Sequence, residues 1–204
     1  MSKIIIISKT DAHITIDGEN DFMDEKGTLF VQGIEGELPS NEDAAERIVQ
    51  IHQLPFGYRA GTLDRHTSDT HIEYERFGRH CVEGTWGAEI HPSLVKVYQN
   101  LDLVLSKGTD PNVISFAVST SPMFLYHIGE MRRKKIERVF VDGFAFTHCV
   151  GESAIVYADQ GFETYIVRDA TRSVAPPYGD PERMDKRLEF AGVKTTYSSQ
   201  LKPS

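Results

Sequence analysis

The chain has 204 residues, enough for one domain with a full core, and its 40% hydrophobic and 25% charged residues are ordinary for a globular protein. A formal net charge of −8 disfavours general binding to nucleic acid or to anionic membranes. Two cysteines are too few for a disulfide framework, and no apolar run is as long as a membrane span.

The first apolar run, 4–7, is too short for a signal-peptide core and is followed closely by Lys9 and Asp11. The expectation is one domain over residues 1–204 in the cytoplasm, with reduced thiols. Residues 12–16 predict a strand with Ile14 and Ile16 on one face, ending at Asp17. Asn41 opens a helix over 42–53, with Ala44, Ala45, Ile48, Val49 and Ile51 at apolar positions. A strand over 56–63 ends at Asp64. Pro92 and Ser93 open a short helix to about Asn100, and a strand over 101–105 ends at Ser106 and Lys107. A helix over 119–135 closes in a basic turn that suits its negative C-terminal end. A strand over 138–141 precedes a helix over 149–160 that Gly161 stops. A strand over 162–167 ends at Arg168 and Asp169, and a helix over 181–191 and a strand over 193–197 follow. Strands alternating with helices predict a three-layer α/β/α architecture with a mostly parallel central sheet.

Such sheets bind ligands beyond the carboxyl ends of their strands. Asp17, Asp64, Lys107 and Cys149 each follow a predicted strand, so one site at that edge is expected. Cys149 comes after a glycine turn, where a helix should begin at about Thr147. A helix N-terminus carries partial positive charge and free N–H groups, which would stabilise a thiolate and hold an oxyanion. Taken alone, Cys149 also reads as a buried structural cysteine. Asp17 is a candidate general base or a turn aspartate, and Lys107 a charge stabiliser or a surface lysine. His148 is a poor base for Cys149, because adjacent helical residues point about 100° apart. Asp64 and His66 share a face at period two, and with His80 and His71 they offer donors suited to a divalent metal. Cys81, beside His80, reads as small buried filler.

The motifs in order resemble the nicotinamidases (pyrazinamidases) of the isochorismatase-like cysteine hydrolase family. Asp17-Gly18-Glu19-Asn20-Asp21-Phe22 is similar to the family's opening segment, Thr62-Leu63-Asp64-Arg65-His66 to its metal segment and Lys107-Gly108-Thr109-Asp110-Pro111 to its lysine segment. The most specific match is the string from His80-Cys81-Val82-Glu83-Gly84-Thr85-Trp86-Gly87 to His91-Pro92. Gly143-Phe144-Ala145-Phe146-Thr147-His148-Cys149-Val150 resembles the nucleophile segment, and Asp169-Ala170-Thr171-Arg172 a late strand end. Glu19 stands where the family has glutamine, and Arg65 and Thr67 where it has tryptophan and proline.

The resemblance implies an isochorismatase-like hydrolase fold and hydrolysis of nicotinamide to nicotinic acid and ammonia through a thioester on Cys149, in NAD salvage. It implies Asp17 and Lys107 as the partners of Cys149, and an oxyanion hole from the N–H groups of Ala145 and Cys149 beside a cis peptide at Phe144–Ala145. It implies one divalent metal ion, zinc before iron or manganese, on Asp64, His66 and His80, with His71 a further candidate. Phe22 and Phe77 would flank the ring. The expected partner is a small-molecule substrate, with no nucleic acid or membrane, and homo-oligomerisation is left open. A related hydrolase of another small amide, such as a carbamoyl or ureido compound, is the alternative. Retention of Asp17, Lys107 and Cys149 counts against a non-catalytic binding protein, and isochorismate hydrolases lack the cysteine.

Overall fold

The computed structural model describes residues 4–204. Its strands are β1 (Ile5–Ile7), β2 (Asp11–Ile16), β3 (Tyr58–Asp64), β4 (Leu103–Lys107), β5 (Arg138–Phe144), β6 (Glu163–Arg172), β7 (Lys194–Thr196) and β8 (Leu201–Pro203). The α-helices are α1 (Asn20–Met23), α2 (Asn41–His52), α3 (Tyr74–Phe77), α4 (Val95–Gln99), α5 (Phe124–Arg133), α6 (Gly151–Asp159) and α7 (Pro181–Phe190). Strands β2 to β7 form one parallel six-stranded sheet in the order β4-β3-β2-β5-β6-β7.

A parallel sheet covered on both faces needs strands that are apolar on both sides. In β2 every residue is buried. Ala12, Ile14 and Ile16 face one core with Val139 and Val141 of β5, packed beneath α5, α6 and α7. Phe140 and Phe144 of β5 face the opposite core with Ala44, Ile48 and Ile51 of α2. The alternation along β5 is the period-two geometry of a strand sorting its side chains between two layers.

The chain runs from β2 outward to β3 and β4, then returns to β5 on the other side of β2. This reversal between β2 and β5 is a topological switch point, where open parallel sheets leave a crevice at their carboxyl edge.

Several predicted boundaries move, each for a local reason. Ser40, not Asn41, caps α2: its hydroxyl accepts from the Asp43 N–H while the Asp43 carboxylate accepts the Ser40 N–H. The predicted helix over 119–135 divides into a 3₁₀ turn, Val118–Thr120, and α5. Pro122 forces Ser121 out of the helical region, and Ser121 is extended at φ −69° and ψ 134°. β6 runs to Arg172 rather than ending at Val167. β1 pairs in parallel with β8, a short strand outside the predicted set. The helix predicted to begin near Cys149 is a π-helical turn, Phe146–Val150, followed by α6.

Candidate active site

Asp17 stands immediately past β2 with a left-handed backbone, φ +48°. Aspartate is among the few non-glycine residues that tolerate this region. Asp64 and Lys107 are the last residues of β3 and β4 and are register partners. Cys149 follows β5, after the cis Phe144–Ala145 peptide. The Val150 N–H donates to the Ala145 carbonyl at 3.1 Å, five residues back, which is the π pattern that widens this turn. Gly151 joins the turn to α6, and a side chain there would collide with the Met184 sulfur and the Phe146 carbonyl.

These elements bring Asp17, Lys107 and Cys149 together. The Lys107 ammonium lies 2.8 Å from Asp17 Oδ2, 3.6 Å from Cys149 Sγ and 3.3 Å from Asp64 Oδ1. Lys107, Asp17 and Asp64 are all buried, and Cys149 is nearly so. Burial would lower the ammonium, but Asp17 and Asp64 carry it well above its ordinary value. Burial would raise Asp64, but Lys107 and hydrogen bonds from His66 and His80 hold it well below the carboxylate range. Burial lifts the Asp17 carboxyl above its ordinary value against the pull of Lys107.

Cys149 departs from the sequence expectation of a stabilised thiolate. Burial pushes its thiol well up, Lys107 opposes this, and the carboxylates of Asp17 and Asp64 reinforce it. The resting residue is therefore a thiol, which needs a base. His148 is outside this group. Its Nδ1 bonds to the Thr147 hydroxyl at 3.0 Å, its ring packs edge-on against Phe77 and Phe116, and burial pushes it down to about 4. Cys81 is fully buried, with its N–H donating to Asp21 Oδ2 at 2.7 Å.

A second cluster adjoins the first. Asp64, His66, Glu73 and His80, all buried, each offer one potential ligand atom, and these atoms lie within 4.8 Å of one another. His66 Nε2 lies 3.1 Å from Asp64 Oδ2 and 3.2 Å from His80 Nε2, and His80 Nε2 lies 3.5 Å from Asp64 Oδ2. Metal–ligand bonds of ~2.0–2.2 Å give ligand–ligand edges of roughly 3.0–3.6 Å, so the Asp64, His66 and His80 donors are spaced for one ion, and Glu73 Oε2 lies farther out, 3.8 Å from His80 Nε2. The other ring nitrogens, Nδ1 of His66 and of His80, donate to the Gly108 and Gly78 carbonyls at 3.1 and 2.8 Å. That turns both Nε2 atoms toward the cluster, where a bound cation would replace their protons, the arrangement of metal-binding histidines. Burial would lower His80, but hydrogen bonds to Asp64 and Glu73 carry it up to about 9. A cation would compete with protons for these donors.

Glu73 is absent from the sequence-predicted set. It lies in an irregular stretch whose spacing carries no signal, and its Oε1 is fixed by the Ser115 N–H at 2.6 Å and the Ser115 hydroxyl at 2.8 Å. His71 falls outside the cluster. Its Nδ1 accepts the Glu73 N–H at 3.3 Å, and its ring packs on that of His66 at 4.1 Å between centroids. Glu19 is fully buried and accepts the Asp64 N–H, with Arg65 3.7 Å away. Burial and the Asp17 charge lift its carboxyl well above the carboxylate range, and Arg65 opposes them.

Both clusters open into one cavity of about 780 Å³, lined by Asp64, His80, Cys149, Ala145, Phe22 and Phe77 among others. Its size is within the range of small-molecule sites, ~300–1,000 Å³. The loop over 24–38 forms one wall. Arg172, at the end of β6, donates to Asn41 Oδ1 at 2.9 Å and to the Gln32 carbonyl, and Glu37 accepts from Ser173 and Arg168. Asp169 instead ties the chain near its C-terminus by accepting the Ser198 N–H at 2.7 Å.

No family model matches the chain. The nicotinamidase of Acinetobacter baylyi is 30% identical over 101 residues, 47% of this chain, and the match spans only 45% of that relative's length. The nicotinamidase/pyrazinamidase of Mycobacterium tuberculosis is 27% identical over 173 residues, covering 80% of this chain and 87% of that protein. Among solved structures, PnC1 from L. infantum in complex with nicotinate matches with a TM-score of 0.84 at 27% identity, over 98% of this chain and 100% of that one. The pyrazinamidase of Pyrococcus horikoshii in complex with zinc matches with a TM-score of 0.70 at 26% identity, over 92% and 99%.

Proposed function

We propose that this chain, a relative of the nicotinamidases in sequence and fold, hydrolyses nicotinamide to nicotinate and ammonia with Cys149 as nucleophile. The observation that carries the reading is the placement of Cys149 Sγ, Lys107 Nζ and Asp17 Oδ2 in one buried group at the wall of the cavity that the metal-type cluster also faces. Asp17 takes the thiol proton, and the sulfur forms a bond to the carboxamide carbon. The N–H groups of Ala145 and Cys149 receive the oxyanion. Its collapse breaks the carbon–nitrogen bond, and the proton held on Asp17 leaves with ammonia. A water molecule then gives Asp17 a proton and attacks the thioester, releasing nicotinate, and the proton returns to sulfur. Lys107 stays charged throughout and balances the negative charge that moves between Asp17, sulfur and oxygen. This chemistry needs a free thiol, which a reducing compartment such as the cytoplasm would maintain.

Asp64, His66, His80 and Glu73 suit a borderline divalent ion, zinc before iron or manganese. With Asp64, His66 and His80 as its ligands, a bound ion would keep a coordination position open for the pyridine nitrogen. Phe22 and Phe77, both lining the cavity, would flank the ring and turn its carboxamide toward Cys149.

Ammonia release from nicotinamide, with and without a chelator and beside benzamide, tests the reading. The expected result is turnover of nicotinamide that chelation suppresses, with benzamide much poorer because it lacks the ring nitrogen. Equal hydrolysis of both by metal-free protein would overturn the ring anchoring and direct attention to carbamoyl and ureido compounds.

A further inference from the structure

Tyr98, on α4, is buried, and its ring lies in a slot between Gly18 and Gly61. A side chain at Gly18 would strike the ring at Cε2, and one at Gly61 would crowd Cε1. The slot brings the phenol to the backbone on both sides of Asp17. The hydroxyl accepts the Gly18 N–H at 2.9 Å and donates to the Thr62 carbonyl at 2.9 Å. That carbonyl also accepts the Asp17 N–H at 3.1 Å. A closed ring of hydrogen bonds therefore pins Asp17 in its left-handed conformation at φ +48°. The Thr62 hydroxyl completes it by donating to Asp17 Oδ1 at 2.6 Å. With Oδ1 held by that donor, Oδ2 is the oxygen that faces Lys107 at 2.8 Å.

We propose that Thr62 and Tyr98 are positioning residues that aim the Asp17 carboxylate, so that Oδ2 alone exchanges the proton with Cys149. The proposal rests on the hydrolytic reading of the site. Neither side chain touches substrate in this scheme. Both act through Asp17, Thr62 on the carboxylate and Tyr98 on the backbone beneath it. A hydrogen bond to a charged group contributes enough that its loss should slow the step it serves by roughly 10–100-fold.

The experiment compares Thr62→Val, Thr62→Ser and Tyr98→Phe with the unmodified protein. The readouts are kcat, KM, metal content and the rate at which iodoacetamide alkylates Cys149, followed by peptide mass mapping. Thr62→Val should lose roughly 10–100-fold in kcat with KM and metal content little changed, and Cys149 alkylation should slow in parallel. Thr62→Ser restores the hydroxyl and should recover most of both rates. Tyr98→Phe should lower kcat by a smaller factor with the same KM. Full kcat and full alkylation rate in Thr62→Val would overturn the proposal, as would a loss that Thr62→Ser fails to repair, which marks packing instead. Alkylation involves no amide substrate. If the unmodified protein leaves nicotinamide intact, the functional reading fails, while the alkylation rates of the three variants still decide the positioning role.

Discussion

Replacing Lys107 by methionine removes the ammonium that two buried carboxylates share while keeping the length of the side chain. Lys107 Nζ lies 2.8 Å from Asp17 Oδ2 and 3.3 Å from Asp64 Oδ1. At an effective dielectric of about 20, each of these attractions is about 5–6 kcal/mol. Desolvation of the ammonium offsets much of that sum. The expected net destabilisation is the ~3–5 kcal/mol typical of removing one partner from a buried pair. For a chain of this size, each kcal/mol moves Tm by about 2–4 °C, so Tm should fall by roughly 6–20 °C. The sign with pH follows. Without Lys107 the stranded carboxyls bind protons more tightly in the folded state than in the unfolded one. The deficit should therefore shrink as pH falls and widen as pH rises through their raised folded values. Turnover should drop by roughly 10²–10³-fold, as when one preorganised charge-stabilising group is lost. Thermal melts across a pH series, with ammonia release at the pH of best folding, measure both. A Tm within about 2 °C of the parent at every pH would refute the argument that Lys107 is the counter-ion on which both carboxylates depend.

Cys149→Ala should lose at least about 10³-fold in ammonia release, whereas Cys81→Ala, at the other buried thiol, should keep most of it. The reverse pattern in steady-state assays would reassign the nucleophile. Asp17→Asn should bind nicotinamide yet lose most turnover, and in the parent protein the acid limb of kcat/KM should lie above the ordinary aspartate value because burial raises Asp17. A pH–rate profile with no limb above that value would count against it. His66→Ala should lose the bound metal, checked by elemental analysis, because it removes a central donor of the four-residue cluster. Gly151→Ala should cost about 1–3 kcal/mol in a denaturant melt, since the new methyl meets Met184 and the Phe146 carbonyl. An unchanged midpoint would show that the π turn can shift to admit it.

Much of this protein is legible from its residues alone. The buried runs, helical spacings and strand-end polar residues predict a parallel sheet between helices and one site at its carboxyl edge. These are local signals, set by period and by turn chemistry, and they survive without tertiary context. Asp17, Asp64, Lys107 and Cys149 belong to that edge because each follows an apolar strand. Other features depend on contacts between segments distant in sequence. Glu73 enters the metal-type cluster with its carboxylate fixed by Ser115, on another loop. The protonation of Cys149 is another such case. Its place near a helix start argues for a thiolate, whereas burial, with the charges of Asp17 and Asp64, pushes its thiol well up. Tyr98 gives no signal as an active-site residue, since its hydroxyl reaches Gly18 and Thr62 only when three separate segments pack together. Periodicity and strand ends are written in neighbouring residues, whereas charge state and hydrogen-bond direction are set by the full surroundings that folding assembles.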